Sequence, residues 1–348
     1  MLISFAAQGA VAVADGPEIL VYQSGDGAPL WKQFCDGILV GVAVVGPRVI
    51  TLDSEGMVTF RRLQDGQTED TGTMSAGATQ LLVSPKGAVG AVTPDGITVF
   101  GGAGVSMPQV SAAAFGPGAT SIGIGTRTGI FSAVDPQSGA AWGSVDLGAP
   151  VTGVTWSSAG QWVVSSGRRI AVIQGDGSAL LASMDAPGDL GPVACSDNGL
   201  LVAALCGSLQ VACFELHGNR SIGTIDLKRD IAGVDFGSAA MLAIGVDDGD
   251  ASLVDLFTGK VGRTEPHPGR GRNTWAVQVH VDRAAVRGAA ALSKAGGTPI
   301  AEYVPIPEDD EGGCLKSCLM VLAVSTVLCM GCSGCSALVY GLRAMGIF

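Results

Sequence analysis

Histidine, aromatic and charged residues are scarce in this sequence. The 348 residues include three histidines, 5% aromatic residues and 15% charged residues, against 47% hydrophobic residues. A chain with so little charge and so much apolar content is not mainly disordered. Its 53 glycines follow no three-residue period, which excludes collagen. The formal net charge of −11 argues against binding to nucleic-acid backbones.

Motifs for catalysis and metal binding are also missing. No histidine is part of an H-E-x-x-H pattern, and no G-x-S-x-G nucleophile elbow is present. Cys329, Cys332 and Cys335 have the C-x2-C-x2-C spacing of ferredoxins, but the rest of that motif does not follow. We therefore predict a protein without catalytic residues, metal ligands or cofactors. The alternative is an enzyme whose site is assembled from separated loops.

The chain does contain an internal repeat of roughly 40 residues. Each copy has four short apolar strands separated by small-residue turns. Gly and Asp-Gly supply the positive-φ positions that tight hairpins need. Four strands in a repeat of this length are typical of a β-propeller, an all-β ring of four-stranded blades. Seven copies begin near Leu2, Leu39, Gln80, Ser111, Thr152, Pro192 and Ile231.

Two kinds of propeller repeat are similar to these copies. The S-P-x-G turn at residues 84–87 and the D-G-I-x-V-F segment at residues 95–100 resemble WD40-type repeats. Residues 22–31 and 134–142 resemble the quinoprotein-like variety. The sequence has no Trp-Asp dipeptide, so the resemblance does not select between the two varieties. It implies a seven-bladed propeller over about residues 1–265 and, for a propeller without catalytic motifs, binding to other proteins.

The segment 274–307 has two interpretations. Residues 275–281 and 300–304 have the pattern of strands, whereas residues 283–295 fit either a strand or an Ala-rich helix. The first choice predicts a partial eighth blade, and the second an appendage to seven blades. We assign residues 1–307 to the propeller, 308–313 to an acidic and glycine-containing linker, and 314–348 to a C-terminal Cys-rich membrane anchor.

The anchor is predicted from a stretch without charge. No charged residue occurs between Lys316 and Arg343, and about 20 apolar residues suffice to span a bilayer. We expect a single transmembrane helix inserted after synthesis, as in tail-anchored proteins, with the propeller in the cytosol. Residues 1–14 resemble a signal peptide, but they also match the repeat. The alternative for the apolar stretch is a buried helix that docks on the body or on a partner.

Small and cysteine side chains in the anchor suggest two further features. Cys314 and Cys318 flank Lys316 at the expected membrane boundary, where they are candidates for lipidation. Small residues recur at every fourth position, which favours close packing with a second copy or another span. This helix-packing stripe consists of Ser325, Cys329, Ser333, Ala337 and Gly341.

One basic segment stands out on the acidic body. It comprises Lys260, Arg263, His267, Arg270 and Arg272, within thirteen residues. Such a segment suits an acidic partner or anionic lipid headgroups, and the alternative is a solvated loop between blades. We therefore predict a non-catalytic, membrane-tethered scaffold for protein–protein interaction. The alternatives are a regulator of a partner enzyme, such as a small-GTPase exchange factor, or an envelope assembly factor.

Overall fold

Seven antiparallel sheets, each built from four consecutive strands, make up most of the computed structural model. The structure describes residues 2–5, 9–23, 29–238, 240–247, 251–263 and 277–295. Each sheet begins within two residues of the start predicted for one of the seven repeats. Because the four strands that build each blade are sequence neighbours, short turns fix their register.

The first four sheets are numbered as blades in chain order. Blade 1 contains β1 (Leu2–Phe5), β2 (Ala10–Asp15), β3 (Glu18–Gln23) and β4 (Pro29–Phe34). Blade 2 contains β5 (Leu39–Val45), β6 (Arg48–Asp53), β7 (Met57–Arg62) and β8 (Thr68–Thr73). Blade 3 contains β9 (Gln80–Val83), β10 (Val89–Thr93), β11 (Gly96–Val99) and the short β12 (Val105–Ser106). Blade 4 contains β13 (Val110–Phe115), β14 (Ile122–Thr126), β15 (Ile130–Val134) and β16 (Ala141–Asp146).

The remaining blades follow the same plan. Blade 5 contains β17 (Val151–Ser157), β18 (Gln161–Ser166), β19 (Arg169–Gln174) and β20 (Leu180–Asp185). Blade 6 contains β21 (Leu190–Cys195), β22 (Leu201–Cys206), β23 (Gln210–Glu215) and β24 (Arg220–Leu227). Blade 7 contains β25 (Ile231–Ser238), β26 (Met241–Val246), β27 (Ala251–Asp255) and β28 (Val261–Arg263). Two elements come after it, β29 (Val277–Val281) and the helix α1 (Arg283–Ala295).

The first strand of every blade packs against the first strand of the next. β25 of blade 7 also packs against β1 of blade 1, so these seven strands are innermost and the ring closes. The predicted all-β, seven-bladed propeller is therefore confirmed. Close packing between blades depends on small residues: a Cβ at Gly41 would fall 2.0 Å from Leu81 Cβ of the next blade. A larger side chain there would push blades 2 and 3 apart.

The hydrophobic core lies between neighbouring blades. Middle strands are covered on both faces and are therefore apolar along their whole length; every residue of β22 is buried. Outer strands alternate instead, and β20 buries Met184 between exposed neighbours. Every blade passes from continuously buried middle strands to an alternating outer strand. The hydrophobic pattern of the strands therefore recurs in the sequence as a repeat.

Of the two interpretations of residues 274–307, the one that makes residues 283–295 a strand of a partial eighth blade is wrong. β29 pairs antiparallel with β24 as a fifth strand of blade 6, and residues 283–295 form a helix. Asp282 caps that helix by accepting from the backbone N–H of Ala284 and Ala285, at 2.9 and 3.2 Å. Its apolar face, with Val286 at the centre, is buried in the core of blades 6 and 7. The appendage interpretation is therefore correct for residues 277–295, while residues 300–304 lie outside the described residues.

The ring closes between blades 1 and 7, and the described strands of each of these two blades come from one continuous stretch of sequence. An apolar cluster joins Phe5, Val11 and Tyr22 of blade 1 to residues of blade 7. The Phe5 backbone N–H donates to Asp235 Oδ2 at 2.8 Å across the same interface. We refer to this contact between β1 and β25 as the seam.

Candidate interaction surface

The outer strands of five blades carry a β-bulge at the same position. In each, the register between the third and fourth strands shifts by one residue near the start of the fourth strand. The extra residue lacks a partner opposite it, and the bulge turns it away from the regular ladder. These bulge residues are Leu30, Glu69, Trp142, Leu181 and Ile222 in blades 1, 2, 4, 5 and 6. Four of the five are large and apolar.

The bulge residue of blade 6 is covered by the chain itself. Ile222 is 5% exposed because β29 pairs beside it and α1 packs on the same cluster. The next residue must be glycine: Gly223 has φ +136°, and a Cβ there would fall 1.9 Å from the carbonyl oxygen of His280 in β29. In blade 6 the glycine after the bulge residue is therefore required by the close approach of the fifth strand.

The equivalent apolar residues of three other blades are exposed. Leu30 is 42% exposed, and Trp142 and Leu181 are each 49% exposed. Leu180, beside Leu181, is exposed to the same degree. In the described part of the chain, β4, β16 and β20 are the last strands of their sheets. Their edges therefore combine unpaired backbone groups with apolar side chains, which is the usual composition of a docking edge.

The edges differ in how much charge protects them. β4 begins with Pro29 and has Lys32 in its middle, paired with Glu18. β8 carries Glu69, whose carboxylate lies 2.8 Å from Arg48 Nε. Charge and proline on an outer strand oppose pairing with another chain. β16 and β20 each have a single aspartate at the last position, so blades 4 and 5 have the least protected edges.

Two structures of other proteins share this arrangement of blades. A chain of the crystal structure of the mitotic checkpoint complex matches with a TM-score of 0.63 and 12% identity, covering 72% of this chain and 85% of that chain. The Myceliophteria thermophila Cps50 (Swd1) β-propeller domain matches with a TM-score of 0.62 and 14% identity, covering 73% and 96%. The fold is a WD40-like β-propeller. No family model and no curated protein matches the sequence.

Most candidate residues from the sequence lie outside the described part of this WD40-like propeller. Lys260 is exposed after the turn between β27 and β28, and Arg263 is the last residue of β28. The other three basic residues are His267, Arg270 and Arg272, which are not described. The lipidation and helix-packing residues all lie in 314–348, which is also outside the described residues. Among the helices that are described, none has the length and apolar character to cross a membrane.

In the described ranges, no three His, Cys, Asp or Glu side chains are grouped so that they could hold a metal ion. A depression of about 370 Å³ beside the short β12 has no titratable side chain in its lining. Its walls are Thr73, Met74, Ser75, Thr98, Val99, Phe100, Gly101, Gly102 and Gly104. The depression therefore lacks the acid–base groups that most hydrolytic chemistry uses.

Two carboxyl groups near the seam have raised pKa values. Burial raises the pKa of Asp235 to about 7 and that of Asp197 to about 6. Asp235 accepts from the backbone N–H of Phe5 and Phe236 and from the Ser4 hydroxyl. Ser4 Oγ in turn accepts from the backbone N–H of Val44 in blade 2 at 3.1 Å. This chain of hydrogen bonds joins blades 7, 1 and 2, so its role is structural.

Sequence reasoning missed the features that define the surface. The bulges depend on which residues pair across strands, and that register is not visible in one sequence. A signal did exist: Gly143 to Leu147 reads G-S-V-D-L and Gly223 to Leu227 reads G-T-I-D-L, each after a large apolar residue. Alignment of the fourth strands of all copies would have found it.

Proposed function

We propose that the protein is a non-catalytic scaffold that binds other proteins through the outer strands of its propeller. The observation that carries this proposal is the set of exposed apolar bulge residues, Leu30, Trp142 and Leu181, on strands that end their sheets in the described part of the chain. Tryptophan and other large apolar residues on a surface are typical anchors of protein interfaces. One of the structurally similar chains belongs to the mitotic checkpoint complex, an assembly of proteins, which accords with this role.

The second part of the proposal is that residues 314–348 tether the propeller to a membrane, with the propeller on the cytosolic side. Its support is the sequence: 26 consecutive uncharged residues lie between Lys316 and Arg343. A tether confines the propeller to a surface and raises its effective concentration toward partners there.

Purification of the detergent-solubilised full-length protein from its native cells tests the scaffold role. We expect at least one protein partner in stoichiometric amount, and no turnover of small-molecule substrates. A partner GTPase that releases nucleotide faster in the presence of the propeller would instead support a regulator of an enzyme. The scaffold role would be contradicted if the protein is recovered without a partner at concentrations high enough to preserve a complex formed in the cell.

Placing a charge in the apolar stretch tests the tether. Val324→Asp should add about 2.5–3.5 kcal/mol to the cost of insertion and move much of the protein from the membrane to the soluble fraction. Val324→Leu is the matched control and should stay in the membrane fraction after alkaline extraction. Equal fractionation of both variants would show that this segment is not the anchor.

A glycosylation sequon reports the side of the membrane. Asn219 of the Asn219-Arg220-Ser221 sequon is exposed in the turn before β24. In a eukaryotic host it should stay unmodified, because N-glycosylation occurs only in the secretory lumen. A glycan on Asn219 would place the propeller on the opposite side.

A further inference from the structure

We propose that the exposed side of α1 and the adjoining turn of blade 7 dock on a membrane surface that carries anionic lipid headgroups. Arg283 and Arg287 of α1 carry the proposal, and with Lys260 beside them they form what we call the basic surface. The inference deepens the proposed tether and rests on it for the nearby bilayer. A tether keeps the propeller close to a membrane, and the basic surface determines which side of the propeller faces it.

Basic residues are concentrated in one part of an acidic chain. Seven of the 20 lysines and arginines lie within residues 260–294, where only two residues are acidic. The whole chain has a formal net charge of −11, so the rest of it is strongly acidic. An anionic surface therefore attracts this part of the chain and repels the remainder.

The fold brings basic residues from two distant segments to one place. The Arg283 guanidinium covers Gly259 in the turn between β27 and β28, where it fills the space that a Cβ would need. Lys260, the next residue, is exposed in the same turn. Arg287 is exposed one turn further along α1, and Lys294 lies two turns beyond it. The basic residues thus follow most of a helix about 20 Å long.

The two arginines do not stabilise the helix on which they lie. Cations near a helix N-terminus oppose the macrodipole, and like charges four residues apart repel each other. The first turn of α1 has no acidic residue, and neither arginine forms an ion pair with any residue that the structure describes. The carboxylate of Asp282 accepts from backbone N–H groups of the helix. Anions bound from outside would therefore relieve a repulsion that the chain leaves uncompensated.

The shape of the basic surface suits a flat bilayer. α1 buries one side, with Val286 at its centre, in the core of blades 6 and 7. A Cβ at Gly288 would meet no described atom within 4 Å, so the position next to Arg287 is open rather than walled like a pocket. Leu292 is 45% exposed. Exposed apolar and basic residues on one helix are typical of helices that lie among lipid headgroups.

The position in the chain favours lipid over an acidic protein. The uncharged stretch that we propose as a tether begins at Ser317, 22 residues after α1 ends at Ala295. Basic residues close to a membrane span are attracted to the anionic lipids of the cytosolic leaflet, and each increases the affinity about fivefold. A few such residues bind weakly by themselves, so the basic surface orients a propeller that the anchor retains.

Binding to lipid vesicles tests the basic surface apart from the anchor. The protein is full-length Val324→Asp, whose added charge opposes membrane insertion of the uncharged stretch. It is sedimented with vesicles of phosphatidylcholine alone or with about 30% phosphatidylserine. We expect binding only to the second kind, and its loss at about 1 M NaCl. Adding Arg283→Gln and Arg287→Gln together should lower the affinity at least about tenfold.

The pair Arg127→Gln and Arg169→Gln is the matched control. Both arginines are exposed, on blades 4 and 5, so this pair removes the same charge from another part of the ring. It should bind the vesicles as Val324→Asp alone does. Circular dichroism and melting should be nearly unchanged by either pair, since exposed side chains contribute little to stability.

Three results would overturn the proposal. Equal weakening by the two pairs would mean that net charge alone governs binding. Binding that does not depend on phosphatidylserine would mean that apolar residues insert instead. Absence of vesicle binding would exclude lipid as the ligand. If a stoichiometric protein partner is then lost only with the pair at Arg283 and Arg287, the basic surface binds an acidic protein.

Failure of the tether is distinguishable from failure of the basic surface. If Val324→Asp and Val324→Leu fractionate equally with cell membranes, the uncharged stretch is not the anchor. Vesicle binding that needs phosphatidylserine and the two arginines would still support the basic surface. If the anchor is confirmed and the vesicles are not bound, the basic surface fails alone.

Discussion

Trp162→Ala is expected to lower the free energy of unfolding by about 3–5 kcal/mol. The side chain is fully buried between blades 4 and 5, where its ring lies 4.6 Å from Trp156 and 5.7 Å from Phe131, centre to centre. Its Nε1–H donates to the carbonyl of Gly175 at 2.9 Å. Truncation would leave a large cavity and an unpaired carbonyl, and the surrounding strands are too constrained to collapse into it.

Urea denaturation followed by circular dichroism measures this loss. Trp162→Phe keeps a ring but loses the hydrogen bond to Gly175, so a smaller loss is expected. Trp142→Ala is the matched control, because Trp142 lies on the surface of β16 and its removal should cost less than about 1 kcal/mol. Equal losses for the two alanine variants would contradict the assignment of the core to the interface between blades.

Asp235→Asn is expected to change how stability depends on pH. Burial raises the pKa of Asp235 to about 7 in the folded protein, from an ordinary value of 3.8. Between these values the folded state holds a proton that the unfolded state has released. The free energy of unfolding of the wild type should therefore fall as pH rises through this range, and the contribution of this group is lost above about pH 7.

A comparison of the wild type with Asp235→Asn isolates the contribution of the Asp235 carboxyl group to stability. From pH 5 to pH 8, the wild type should lose about 2–3 kcal/mol relative to Asp235→Asn. Urea denaturation at several pH values measures the difference. Asp197→Asn is the comparison variant: the pKa of Asp197 is raised to about 6, so its effect should be nearly complete by about pH 6.5. Parallel stability curves for the wild type and Asp235→Asn would show that Asp235 titrates normally.

The seven blades were predictable because each is local. Turns such as Asp95-Gly96 mark the ends of strands that pair with their sequence neighbours, so the repeat alone located every sheet within two residues. The covering of blade 6 was not predictable. β29 pairs with β24 across a whole intervening blade, and nothing in the sequence of residues 277–281 specifies that partner strand.

The candidate surface and the seam were not predictable for a related reason. Exposure of Trp142 and burial of Ile222 differ because a distant segment covers one and not the other. Burial likewise gives Asp235 its raised pKa, and Asp235 lies against β1, which comes from the other end of the chain. Local patterns in the sequence do not report contacts of this kind.

The seam also determines the order in which the ring is expected to assemble. The strands of each blade need only short loops to meet, whereas Phe5 and Asp235 meet across 230 positions of chain. Hairpins within blades should therefore form early, and the contact between β1 and β25 should form last. A pulling force on the two sides of the seam would part these strands first, because none of the described strands is shared between blades 1 and 7. Unfolding would then proceed blade by blade from that opening.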